Sequence, residues 1–338
     1  MVESHGGPAT RHGFKGHLAA KYLTFEIASF LAQVYGGLPF VTSLECCPPN
    51  RYSIIEGHTP GFSSCAADHY ITVQGEGDEA WPYRQYVSSN TRPPIVQINQ
   101  TGQPLSAGLI FITPEEFSPT VDREVPAALI IRDNGDLVWE ANYPAPGAMI
   151  INLQPQQLYE RPVIMYWNGT QANMQGYGAG AVEILNDKYD KIFSVCPELN
   201  INLDTPLSHT VNCYCDYHES LITPHNTILV TVYNKTTADL SSVGGSKEGY
   251  VVDSLAVEVD IDTNQPIFVW SALEHVSISD SHRQIEQTGT ASMPYDWFHI
   301  NSIQSWGRGF LINSRRTWTT YYVSREGEIL WRINGAAC

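Results

Sequence analysis

Four stretches of the chain share one short pattern, a turn followed by a strand that ends on an aromatic side chain. Asn134-Gly-Asp-Leu-Val-Trp139, Asn264-Gln-Pro-Ile-Phe-Val-Trp270 and Glu326-Gly-Glu-Ile-Leu-Trp331 resemble one another, and Asp187-Lys-Tyr-Asp-Lys-Ile-Phe193 is a looser copy. The closing aromatics Trp139, Phe193, Trp270 and Trp331 stand 54, 77 and 61 residues apart. That spacing suits four-stranded blades with loop insertions, so a β-propeller is the expected architecture. A β-sandwich with coincidental hairpins is the alternative, because hairpin ends resemble one another.

The rest of the chain carries the same signal. Ile95 to Ile98, Leu109 to Thr113, Ala127 to Arg132 and Leu137 to Glu140 read as strands. Val163 to Trp167, Ala181 to Leu185, Lys191 to Val195, Thr227 to Tyr233 and Leu255 to Asp260 follow. No stretch longer than a few turns has helical periodicity. Residues 91–338 are therefore expected to be the all-β domain. Residues 1–90 are an N-terminal segment with a Pro/Gly/Cys-rich centre, and its polar, Gly/His-rich first 22 residues are expected to be disordered.

Composition agrees. Tyr 18, Trp 8 and Phe 11 with Gly 26 and Pro 21 favour strands and turns over helices. A net charge of −16 argues against nucleic acid or an anionic membrane as partner, and an anionic substrate needs a local positive site. No segment reaches the length of a membrane span. Seven cysteines are too scattered for a zinc-ribbon spacing. The sequons Asn99-Gln-Thr, Asn168-Gly-Thr and Asn234-Lys-Thr fit a secreted glycoprotein.

The densest polar signal lies between Tyr295 and Gly335. Strict alternation over Trp297 to Asn301 puts Trp297, His299 and Asn301 on one side, with Phe298 and Ile300 on the other. After the Gly307–Gly309 turn, Leu311, Asn313 and Arg315 face together, and runs at Thr319 to Val323 and Glu328 to Ile333 complete the set. Next neighbours on one strand face lie roughly 7 Å apart, so His299 and Asn301 are placed to touch one small anion.

Asp216-Tyr-His218-Glu-Ser, Thr227-Ile-Leu-Val-Thr-Val-Tyr233, Phe268-Val-Trp270, Phe298-His299-Ile-Asn301-Ser and Ile312-Asn-Ser314-Arg315 occur in that order. This series resembles the arylsulfotransferase (ASST) family in its fungal-type branch, over about Arg92 to Gly335. The resemblance implies a six-bladed propeller with its site in the central channel. It also implies transfer of a sulfuryl group from a phenolic sulfate ester to a phenol through a sulfohistidine, with no nucleotide donor and no cofactor. Carried over by motif, His218 is the first channel histidine, His299 and Asn301 are the H-x-N pair, and Arg315 is the arginine of S-x-R. Arg316 stands where related sequences often have histidine. In the family a further blade follows the W-x-x-x-G turn and supplies the sulfated histidine. This chain stops at Cys338, so the expectation is a truncated copy of about five blades with impaired transfer.

The residue types suit that chemistry. Sulfuryl transfer, like phosphoryl transfer, spreads charge over equatorial oxygens with nucleophile and leaving group in line. Arg315 is a two-pronged donor for sulfate oxygens, with Arg316 replacing it if the register slips by one. Asn301 offers an amide NH2, and His299 donates to an oxygen or protonates the leaving phenolate. His218 does the same donor work or acts as nucleophile. Trp297 is placed to stack on an aryl ring.

Three other readings compete. A propeller without chemistry would be a binding module. Cys213-x-Cys215-x-x-His218 with Asp216 has zinc-ligand types but no second pair at finger-like spacing. Cys47-Pro-Pro-Asn-Arg51 matches a sulfatase C-x-P-x-R pattern without the acidic pair that chemistry needs.

Overall fold

Every ladder between named strands is antiparallel, and most strands pair with the next one in the chain. A computed structural model of the protein describes residues 70–73, 83–87, 93–96, 98–99, 102–103, 106–114, 127–141, 148–172, 176–203 and 213–334. Residues 1–69, with the Cys47–Arg51 pattern, and residues 335–338 lie outside them. Among the described residues the protein is all-β, with one four-residue helix, α1 (Ala272–His275).

Strands β1 (Tyr70–Val73) and β2 (Tyr83–Tyr86) form a hairpin ahead of the first expected strand. Arg84 donates to Asp136 at 2.8 Å, tying this segment to the first repeated turn. Of the expected strand Ile95 to Ile98, the described residues Ile95, Val96 and Ile98 are not in a strand, and Pro94 just ahead of them makes an isolated bridge. Next come β3 (Ile110–Ile112), β4 (Ala128–Ile131) and β5 (Leu137–Ala141), a three-stranded meander.

Two four-stranded meanders follow. The first is β6 (Met149–Leu158), β7 (Arg161–Ala172), β8 (Tyr177–Leu185) and β9 (Lys191–Val195). The second is β10 (Cys215–Ile222), β11 (Thr227–Ala238), β12 (Gly249–Asp260) and β13 (Pro266–Ser271). One pairing, Cys215 with Gly180, joins them into an eight-stranded sheet. The disulfide Cys196–Cys213 ties the end of β9 to the start of β10. A last meander runs through β14 (Ile300–Trp306), β15 (Gly309–Ser314), β16 (Thr319–Ser324) and β17 (Ile329–Asn334).

The cores lie between consecutive meanders, because each sheet has an apolar face that water would otherwise meet. Ile130, Ile150 and Leu153 fill the space between β3–β5 and β6–β7. Met165, Trp167, Val182, Ile184, Ile228, Val230 and Val257 fill the next. Tyr233, Trp270, Phe298, Ile303, Phe310 and Tyr321 fill the last.

The four repeated motifs occupy one place, the turn before the final strand of each meander. Each contains a left-handed residue: Gly135 (φ +85°), Tyr189 (+65°), Asn264 (+58°) and Gly327 (+94°). In each the ladder slips by one beside the turn, the signature of a bulged hairpin. The last three also fasten each meander to the one before. Tyr189 stacks on Trp139 of β5 at 5.7 Å. Asn264 donates to the Ser194 carbonyl of β9 at 3.1 Å and accepts from the Cys196 N–H at 2.8 Å. The Gly327 carbonyl accepts from the Trp270 indole of β13 at 3.1 Å.

Candidate active site

β10 pairs with β11 only at its ends: Asp216 to Glu219 stand opposite the single residue Thr231. The surplus backbone frees this segment to bond with itself. Asp216, fully buried, accepts at Oδ2 from the His218 backbone N–H at 2.8 Å and lies 2.6 Å from the His218 Nδ1. Its other contacts are the Gly178 N–H at 2.6 Å and the Thr231 hydroxyl at 3.2 Å. The Tyr217 ring stacks on the His218 ring at 4.7 Å.

His299 reaches the same point from another sheet. The sequence reading ran a strand through Trp297 to Asn301, but β14 begins only at Ile300 and His299 has φ +55°. Alternation therefore does not carry across His299. Two backbone bonds between Tyr295 and β12 hold the approach, at 2.8 and 3.0 Å, and the Arg315 N–H binds the His299 carbonyl at 2.9 Å. The His299 ring is fully buried, with Nδ1 2.8 Å from Asp296 Oδ2.

The two imidazoles meet: His218 Nε2 lies 3.3 Å from His299 Nε2, with the rings edge to face at 84°. An ionised carboxylate only accepts, so each Nδ1 is the donor to its own aspartate and each Nε2 is the atom left for chemistry. His218 keeps 14% of its side-chain surface in solvent while His299 has none, so His218 is the solvent-side member. Burial pulls the His218 pKa down, but the Asp216 charge and hydrogen bond outweigh it, and the net shift is upward.

Asp296 is fully buried beneath His299. Its Oδ2 also accepts from Arg283 at 3.0 Å and from the Nη2 and Nε of Arg316 at 3.1 and 3.2 Å, while Oδ1 has no partner. Burial alone would raise its pKa; His299, Arg316 and Arg283 instead hold it below the ordinary carboxylate value.

Arg315 follows β15 directly and is exposed. Among the described residues nothing pairs with its guanidinium, whose charge acts on His218. Asn301 is half-buried at the slip between Ile300 and Ser302 in the β14–β15 ladder. Trp297 is fully buried, its ring against Phe298 at 5.5 Å and its indole N–H unpartnered, so it has no exposed face for a substrate ring. Arg316 is engaged with Asp296. The exposed aromatic nearest in the chain to Arg315 is Trp318, stacked on His282 at 4.2 Å.

The sequence reading did not single out Asp296 and Arg283, and met Asp216 only as a ligand type. The spacings Asp216-x-His218 and Asp296-x-x-His299 are the signal that pairs each histidine with its carboxylate. The zinc-type set does not assemble, because Cys213 is spent in its disulfide with Cys196. Cys215 is buried, its thiol 3.7 Å from the Val195 carbonyl, and burial pushes its pKa up to about 12.

The arylsulfotransferase (ASST) family model matches residues 154–338, more than half of the chain. The chain belongs to that family. No curated protein and no solved structure matches it. The arylsulfotransferase match runs from within β6 past β17, and so takes in both histidines, both aspartates, Arg283, Arg315 and Arg316. Arylsulfotransferase membership implies small aryl molecules as substrates. Among the described residues no helix is long and apolar enough to cross a membrane.

Proposed function

We propose that this protein moves a sulfuryl group from a phenolic sulfate ester to a phenol without a nucleotide donor, and that its meanders are blades of a β-propeller. Meanders that share a core with the next one in the chain support the blade reading. The observation that carries the functional reading is the opposed pair of Nε2 atoms, 3.3 Å apart, each backed by its own aspartate.

Such a pair divides the work of a nucleophile and its base. His218 meets the ester from the solvent side, and Arg315 takes the sulfate oxygens as charge develops on them. His218 Nε2 passes its proton to His299 Nε2 as the sulfur approaches. The N–S bond forms, the S–O bond to the aryl group breaks, and the phenolate takes the proton from His299. An acceptor phenol then gives its proton to His299, and its oxygen takes the sulfuryl group. Trp318 and His282 offer the aryl rings an exposed stacking surface.

The test is incubation with 4-nitrophenyl sulfate and phenol, following nitrophenolate release and a sulfo-histidine adduct by mass spectrometry. We expect turnover that falls by about a hundredfold or more in His218→Asn and in His299→Asn. Turnover unchanged in either variant sinks the assignment. Sulfate binding lost in Arg315→Ala, with no turnover in the parent, favours a binding module instead.

A further inference from the structure

We infer that one proton is shared between the two facing imidazoles and rests on His218, and that Arg283 and Arg316 are the positioning residues that put it there. The inference concerns the resting site, and rests on the reading above only for the use made of that proton.

Geometry sets the number of protons. With both Nε2 atoms bare, two lone pairs would face each other at 3.3 Å; with both protonated, two N–H groups and two positive charges would meet. A single proton makes one nitrogen donor and the other acceptor.

The company of the two aspartates sets its place. Asp216 takes only neutral donors besides the His218 ring, namely the Gly178 and His218 N–H groups and the Thr231 hydroxyl. Its negative charge is left for the His218 ring. Asp296 already carries two guanidinium groups on the oxygen that His299 uses. A proton on His299 would add a positive charge to a part-buried cluster whose sum is already positive. A proton on His218 instead makes a neutral pair with Asp216.

The remaining groups around the pair do not reverse this. Arg315 opposes a charged His218, but it stands in water, whereas Asp216 is in direct contact and fully buried. Glu219 lies next to His218 on β10, its carboxyl raised by burial to about 7. Tyr217 stacks on His218, and the Tyr233 and Tyr177 rings, stacked on each other, complete the surround. Burial holds both of those phenols above their ordinary value, so they stay neutral. The shift of His218 itself runs the same way.

The test uses the whole protein labelled with 15N-histidine and no substrate, so its result stands whether or not sulfuryl transfer is found. Long-range 1H–15N correlations at neutral pH separate an imidazolium from a neutral ring, and His218→Asn and His299→Asn assign the two signals. We expect an imidazolium at His218 and a neutral ring with bare Nε2 at His299. In Arg283→Met and Arg316→Met the imidazolium signature should move toward His299. Arg316→Lys, which keeps the charge and loses the fork, should leave it on His218. An imidazolium at His299, at both rings or at neither in the parent protein overturns the inference. So does an unmoved signature in both methionine variants; if those fail to fold, the parent spectrum decides alone.

Discussion

At the scale of single residues, Asp296 is where removal of one atom's charge does most harm. Among the described residues it is the only carboxylate bonded to Arg283 and Arg316, and both hold it through one oxygen. Asp296→Asn leaves two guanidinium groups without a counter-charge beside a buried imidazole. Breaking a buried pair this way costs about 3–5 kcal/mol, so the midpoint of urea unfolding should fall accordingly. A variant as stable as the parent would mean that water reaches the arginines. His218 gives a second expectation. Its folded pKa lies above the ordinary histidine value of 6.5, so the stability it contributes is fully present below that value. That contribution is lost as pH rises from there through the folded value. Unfolding free energy measured across this window should decline in the parent and decline less in His218→Asn. Parallel curves would remove Asp216 as the cause.

At the scale of elements, two glycines decide whether the site's wall can form. A Cβ at Gly178 would stand 2.7 Å from the Tyr217 ring and 3.0 Å from Trp167, and one at Gly180 would stand 2.3 Å from the Asn168 carbonyl and 2.6 Å from Gly169 Cα. The bare backbone of β8 leaves room for the Trp167–Tyr217 edge contact at 5.4 Å, and Tyr217 in turn stacks on His218. Gly180→Ala should cost about 3 kcal/mol or more, because both obstacles are backbone. Gly327→Ala meets nothing nearer than 3.6 Å, so it should cost only the 1–2 kcal/mol of a left-handed alanine. Denaturant curves of the two variants check the order, and equal losses would mean that β7 and β8 separate easily. The same glycines explain why the sequence reading began this strand at Ala181 instead of Tyr177. Gly176-Tyr-Gly-Ala-Gly180 lacks the branched side chains that announce a strand. β6 was missed for a related reason: Gln154-Pro-Gln-Gln157 reads as loop, yet an edge strand pairs on one side only and tolerates proline. Of the site, His218 and His299 were legible through their motifs. Their place in one site was implied by the resemblance, but the contact between their rings was not legible, because it depends on a bulge in β10 and a left-handed residue before β14. Neither leaves a periodic trace.

At the scale of the whole molecule, the repeat visible in the sequence is the set of joints. Tyr189, Asn264 and Gly327 each belong to one meander and hold the last strand of the one before. Arg325, two residues before Gly327, adds a 2.6 Å bond to the buried Glu258 of β12. Sheets fastened in chain order and sharing cores do not melt independently. The chain connection beside one such joint is also where Cys215 sits, next to the Cys196–Cys213 bond. Buried and raised to about 12, its thiol is no nucleophile while the fold stands. Once the chain opens, Cys215 returns to the ordinary thiol value near 8.5 and becomes able to attack the neighbouring bridge. Folding thus acts as the lock on the protein's own redox pairing, and heat opens it. Repeated calorimetric scans should regain a smaller unfolding signal at about pH 9 than at about pH 6, where few thiols are ionised. Cys215→Ser should regain more than the parent at the higher pH, and equal recovery would show that the bridge survives without this lock. Heat tolerance in this molecule is then a matter of how long the chain stays open, and of how alkaline the solution is while it does.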